Sequence, residues 1–216
     1  RKIVFDSLAI GMSPFLMNLA ACFIVIIINQ GLKKYGGDLA IGAFGIVNRL
    51  VFIVVMIVMG LNQGMQPIAG YNFGAKLYGR VNKVLRLTII YATAVTTFGF
   101  LVGMLVPDLV VGIFTSDAEL TELSVTGLRI TVMFFPIIGF QMVTSNFFQS
   151  IGMAGKAIFL SLTRQMLILL PCLLVLPQFF GVAGVWYSMP VSDLLASLIA
   201  LVMLVCQFRK FRTSPL

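Results

Sequence analysis

Apolar residues along this chain form long uncharged intervals rather than a stripe at helical spacing: 7–32, 50–75, 87–107, 130–155 and 165–192. Each reaches the roughly 20 residues that a helix needs to cross the hydrocarbon core of a bilayer. The last interval carries on past Asp193 to Phe208 and is broken by the turn signal at Pro177–Gly181, so it supplies two helices. The spans expected from this pattern are 7–30, 40–62, 85–107, 122–147, 158–177 and 182–207. Runs such as CFIVIII and VFIVVMIVM are apolar on every face, whereas transmembrane strands alternate apolar with polar residues. The pattern therefore predicts an all-α membrane protein, a bundle of six transmembrane helices.

Composition agrees with that class. Over 216 residues the mean hydropathy is +1.07, charged residues make up 10%, and His is absent. A formal net charge of +8 would suggest a nucleic-acid partner in a soluble chain, but in a membrane protein the placement of Lys and Arg sets topology instead. Arg1 and Lys2 precede the first span, Lys76, Arg80, Lys83 and Arg86 follow the second, Lys156 follows the fourth, and Arg209, Lys210 and Arg212 follow the sixth. The opposite ends hold Lys33, Lys34 and Asp38, then Asp108, Asp117, Glu119 and Glu122, then an uncharged turn. Both termini are predicted to be cytoplasmic. The first residue is Arg, and no charged segment with a cleavage site precedes the first span, so the chain reads as a piece of something longer without a signal peptide. Cys22, Cys172 and Cys206 lack metal-like spacing and read as buried, inert thiols.

The chemistry is excluded as much as indicated. No nucleophile and base of the usual kind can be assembled from scattered acids without His, and neither phosphate-binding glycine pattern is present. The chain is not expected to be an enzyme, and no metal site or cofactor is expected. Any energy source must then be an ion gradient.

An unpaired polar group in hydrocarbon costs several kcal/mol, so each amide or charge within a span needs a partner or a wet cavity. Asn18, Asn48, Arg49, Gln141 and Asn146 are candidates for a cavity that contacts substrate. Arg49 and Asp193 sit deepest, and for both the readings are a substrate or ion contact or an ion pair that fixes packing. Arg164 and Gln165 open the fifth span. Twelve Met and nineteen Phe suit either ordinary helix packing or a permissive site for flat or cationic ligands.

One stretch departs from the greasy pattern. GLNQGMQPIAGYNFGAK, residues 60–76, packs amides and glycines into a span end. Pro67 disfavours helix at Gln66, so the second helix is expected to end near 62–66, followed by a turn and a short interfacial helix carrying Lys76, Arg80 and Lys83. A second cluster, NFFQSIGMAGK at 146–156, ends the fourth span in the same orientation. The two together suggest a hinge or gate built on Gln63, Gln66, Pro67, Gly70, Gly74, Gln149, Gly152 and Gly155.

GLNQGMQPIAGYNFGAKLYGRVNKVL resembles the connection after the eighth helix in the multidrug and toxic compound extrusion family, in its MepA-like branch. NFFQSIGMAGKAIFLSLTRQMLILLP resembles the connection between its tenth and eleventh helices. The resemblance covers nearly the whole chain. It implies the C-terminal six-helix lobe, residues 1–216, of a twelve-helix fold with a pseudo-two-fold axis. The implied protein is a sodium- or proton-coupled antiporter of the bacterial inner membrane that exports organic cations and amphiphilic drugs by alternating access. Its implied partners are the N-terminal lobe and the bilayer, with no nucleic acid, and an isolated lobe, exposing the surface that would face its partner, is expected to form a two-fold homodimer or another non-native association. Relatives of the NorM-like branch carry acids on the seventh and tenth helices, whereas here the stretch Met133 to Gln149 has none and the first span has only Asp6. A coupling site for Na+ or H+ is therefore expected in the other lobe. The alternatives are a lipid-linked precursor flippase of the wider superfamily, for which Arg49 and Arg164 are the candidate basic groups, and a structural membrane protein without transport.

Overall fold

The computed structural model describes the backbone of residues 2–213 and the side chains of Met12 and of residues 15–207. Asp6, Pro14 and the terminal basic residues Arg1, Lys2, Arg209, Lys210 and Arg212 lie outside the described side chains. The elements are α1 (Lys2–Gly74), α2 (Tyr78–Leu105), α3 (Pro107–Gly112), α4 (Ala118–Val132), α5 (Phe135–Ser150), α6 (Ala154–Leu162), a π-helical turn (Thr163–Leu169), α7 (Leu170–Phe180) and α8 (Val182–Thr213). No strand occurs among the described residues.

α1 is two spans. Gly37 adopts φ 67 and ψ −161, a conformation open to glycine and strained for other residues. Val25 and Val51 line one cavity, yet a straight helix would hold them about 39 Å apart at 1.5 Å per residue. The chain therefore folds back at Gly37 into a first and a second arm. α2 makes the third pass. α4 and α5 make the fourth as a broken pair bent by 55°. α6, the π turn and α7 form one apolar run, Ala154–Phe180, and α8 supplies the sixth.

The two ends of the bundle follow from contacts. At one, a Cβ on Gly36 would meet Val182 and one on Gly42 would meet Leu120, which gathers the Gly37, Asp117 and Gly181 turns. At the other, a Cβ on Gly70 would meet the Ser150 carbonyl, and Lys156 reaches Gln207. Lys76 in its turn, Arg80 in the first turn of α2 and Lys156 in the first turn of α6 thus share one end.

Four expectations need correction. The cysteines are not buried: Cys22 and Cys206 are exposed and Cys172 is half-buried, since the outer face of a membrane bundle meets lipid and takes apolar side chains as readily as the core. The second helix does not end near 62–66: it runs unbroken through Gln66 and Pro67 to Gly74. Pro67 removes one intrahelical donor, but its ring is exposed, and a membrane helix tolerates the loss when neighbours re-satisfy the backbone. No separate interfacial helix follows, because Arg80 and Lys83 already belong to α2. The fourth span is not one rod: Pro136 cannot donate to the preceding turn, and the helix breaks at Met133–Phe134.

The core has two apolar clusters stacked along the bundle. The first joins Leu32, Val47, Val125, Leu128, Phe135 and Trp186. The second joins Val58, Val81, Leu85, Phe147, Phe148 and Ala200. Asp193 lies on α8 between Trp186 and Ala200, about 10 Å from each along the helix. A charge therefore marks the seam between the clusters.

Candidate functional site

The buried face of α8 repeats at Trp186, Asp193, Ser197, Ala200 and Leu204, the spacing of one helix side. It carries Asp193 into the bundle, where the residue is 3% exposed. The partner comes from the π turn. Arg164 Nε donates to Asp193 Oδ1 at 2.6 Å, and Nη2 lies 2.5 Å from the same oxygen. The widened turn has a local cause: Pro171 has no N–H to continue the regular ladder, and the Leu170 N–H reaches back to the Gln165 carbonyl, a bond one residue longer than the α-helical one. Of the two readings for Asp193, the ion pair is what the fold forms, and Arg164 rather than Arg49 supplies the cation.

The pair lines a cavity of about 230 Å³. Its walls come from both arms of α1, the α4–α5 break, the π turn and α8, with Phe44, Asn48, Thr131, Phe135, Met142 and Ser192 among them. A second cavity of similar size, lined by Leu50, Val54, Phe98, Gly103 and Val132, is apolar throughout.

Of the cavity candidates read from the sequence, Asn48 lines the charged cavity. Arg49 sits beside it on an exposed face with no salt-bridge partner among the described residues. Asn18 is exposed on the first arm. Gln141 is not part of that lining: it is 4% exposed, and its Oε1 has no hydrogen-bond partner among the described residues. Asn146 belongs to a different place. Its Nδ2 donates to the Met142 carbonyl at 3.0 Å, and its Oδ1 accepts from Gln66 Nε2 at 3.4 Å.

That bond joins the two amide and glycine clusters, which are separate in sequence. Beside it, a Cβ on Gly70 would stand 2.9 Å from the Ser150 carbonyl oxygen, so the second arm and α5 touch through backbone. The two connections end their helices alike. Lys76 (φ 58) and Gly152 (φ 77) are left-handed, and each is followed by a reach-back bond, Leu77 N–H to the Asn72 carbonyl at 2.9 Å and Met153 N–H to the Phe148 carbonyl at 2.8 Å. The left-handed position of the first turn is thus Lys76, not Gly74. Gln63 and Pro67 lie on the exposed face of the second arm, Gln149 is half-buried, and Gly155 has open space around it. Beyond the second turn, the Lys156 ammonium lies 5.2 Å from the centre of the Phe148 ring and donates to Gln207 on α8.

Asn62 was not among the candidates. It is 2% exposed, and neither side-chain polar atom has a hydrogen-bond partner among the described residues. Its signal was available as the stripe Val58, Asn62, Met65 and Ala69, one buried helix face.

Residues 12–174, more than half of the chain, match the family model described as MatE. The chain is 27% identical over 201 residues to the multidrug export protein MepA of Staphylococcus aureus (strain MSSA476), covering 93% of this chain and 44% of MepA. It is 24% identical to MepA of Staphylococcus saprophyticus over the same shares. Among solved structures, the MATE multidrug transporter DinF-BH is 34% identical, with a TM-score of 0.86 over 99% of this chain and 48% of that one. A MOP superfamily transporter from Pyrococcus furiosus shares the fold at a TM-score of 0.91 and 19% identity, again over 48% of its length. The chain spans about half the length of the relatives it matches, one lobe of their fold. This multi-pass membrane protein, similar to MepA along nearly all of its own length, belongs to the MatE family.

Proposed function

We propose that these residues form the C-terminal lobe of a cation-coupled multidrug antiporter that exports organic cations and amphiphilic drugs by alternating access. The N-terminal lobe would pair with the exposed faces of the two α1 arms, where Asn18, Asn48 and Arg49 lie. The basic connections at one end argue for both termini on the cytoplasmic side of a bacterial plasma membrane. The coupling site for Na+ or H+ belongs to the other lobe, because the one buried carboxylate among the described side chains, Asp193, is already neutralised by Arg164.

The observation that carries this reading is the joining of the two hinge-like segments at Gln66–Asn146 and Gly70–Ser150. A static anchor has no need of two matched helix ends linked by amides. A transporter that opens toward the cytoplasm uses such a joint to move two connections together. The flippase reading loses support because one of its two candidate basic groups, Arg164, is paired with Asp193, which leaves Arg49 alone to meet a pyrophosphate.

Ethidium efflux tests the reading. Proteoliposomes holding this lobe with its partner half should export the dye under an imposed sodium or pH gradient, and the lobe alone should not. A correctly assembled pair that moves no cationic dye would sink the exporter and bring the flippase forward. Within the active pair, Gly70→Val forces the second arm off the Ser150 carbonyl. Efflux per folded transporter is expected to fall about tenfold, the equivalent of ~1.4 kcal/mol, and because the clash is with backbone the unfolding midpoint should drop as well, so folded protein is quantified beside the efflux. Efflux at the parent rate would show that the joint does not move in transport.

A further inference from the structure

The cavity at the seam carries chemistry that the export reading leaves unused. Arg164 spends both of its contacts on one oxygen, Asp193 Oδ1. No hydrogen bond to Oδ2 is found among the described residues, although Asp193 is only 3% exposed and lines the cavity. A carboxylate accepts through both oxygens, so half of this one is left for a further donor. The Arg164 side chain is 31% exposed and lines the same cavity.

The neighbouring groups suit a cation. The Thr131 hydroxyl donates to the Gly127 carbonyl at 2.8 Å, and the Ser192 hydroxyl donates to the Met189 carbonyl at 2.7 Å. With their protons spent, both hydroxyls present only lone pairs to the cavity. Phe44 and Phe135 add aromatic rings to the lining, and Met142 and Met189 add polarizable thioether side chains. The volume of about 230 Å³ is below the ~300–1,000 Å³ of drug-sized pockets, room for a cationic head group whose tail leaves on the exposed side at Asn48.

We propose that this cavity is a cation-binding subsite in which Arg164 is the resident, tethered cation, and that an organic cation with an ammonium or guanidinium head enters by displacing Arg164 from Asp193. The choice of organic cations rests on the export reading. The geometry of the site does not.

A tethered competitor makes a signature that a structural ion pair lacks: its two partners have opposite effects on binding. Binding of benzyltrimethylammonium and benzylguanidinium would be measured by calorimetry on the purified intact transporter, without any gradient. Arg164→Gln should bind at least tenfold tighter than the parent, and Asp193→Asn at least tenfold weaker. Thermal unfolding of each variant identifies a folding failure. Should Arg164→Gln fail to fold, Arg164→Lys replaces the two-point tether by a single ammonium and should also bind tighter than the parent. Weaker or equal binding in the folded Arg164 variant would overturn the proposal. The opposite signs appearing in a protein that shows no dye efflux would leave the subsite standing while export falls. Efflux persisting with both variants weakened would do the reverse.

Discussion

Gly184→Ala is expected to leave little folded protein. A Cβ at this position would stand 2.5 Å from the Leu176 carbonyl carbon and 2.7 Å from the Pro177 nitrogen, and closer still to the Leu176 oxygen. All three are backbone atoms, so no rotamer can move aside, and the α7–α8 hairpin has to open. Gly→Ala within a helix otherwise gains about 0.5–1 kcal/mol, whereas overpacking costs about 1–3 kcal/mol and sometimes more. Here the clash has the larger weight because relief requires moving a helix. Gly79→Ala is the control: nothing lies within 4 Å of its Cβ, and it is exposed near the start of α2. The unfolding midpoint in detergent should drop for Gly184→Ala and hold or rise for Gly79→Ala. Equal midpoints would show that the hairpin is not packed at this distance.

The second large effect is a coupling between Gly127 and Trp186. A Cβ on Gly127 would meet the indole at 2.6 to 2.8 Å. The ring is 2% exposed and is held on another side by Phe44, centroid to centroid 5.9 Å. Gly127→Ala should therefore destabilise by about 2 kcal/mol. Trp186→Phe removes the atoms in conflict and should cost about 1–2 kcal/mol alone through lost packing. Combined, the two should cost less than their sum, by an interaction of about 1 kcal/mol, within the range seen for residues in contact. Simple additivity in a double-mutant cycle would mean that the indole does not rest on Gly127.

The ease with which each feature could be read from the chain follows its physics. Spans are set by a run of apolar residues long enough for the bilayer, a local quantity, so the class and the family were legible from stretches such as VFIVVMIVM and from the ordered amides after Met59. Helix ends were less so. The effect of Pro67 depends on whether neighbouring groups re-satisfy the backbone, which no local rule contains, and the helix passed through it to Gly74. Conversely Gly37, in the unremarkable pair Gly36–Gly37, turned out to be the fold-back point of 73 helical residues. The site was harder again. Asp193 and Arg164 were both visible as costly charges, but their pairing needed the phase shift of the π turn, and Asn146 met Gln66 across 80 residues of sequence. Periodicity could still have found Asn62, whose neighbours at helical spacing are all buried.

The π turn at Thr163–Leu169 also bears on how this region changes length. A π turn is an α-helical turn that has taken in one additional residue. Removing a single residue from within it would restore the regular ladder, while α7 and the Gly181 turn kept their facing toward α8. Deletions elsewhere in Ala154–Phe180 would rotate everything downstream by about 100°, given 3.6 residues per turn. This short segment is thus the place where the fifth pass can gain or lose one residue at least cost to packing. What such a loss would remove is the orientation of Arg164, so a one-residue gap in the helix would amount to a change of charge in the cavity.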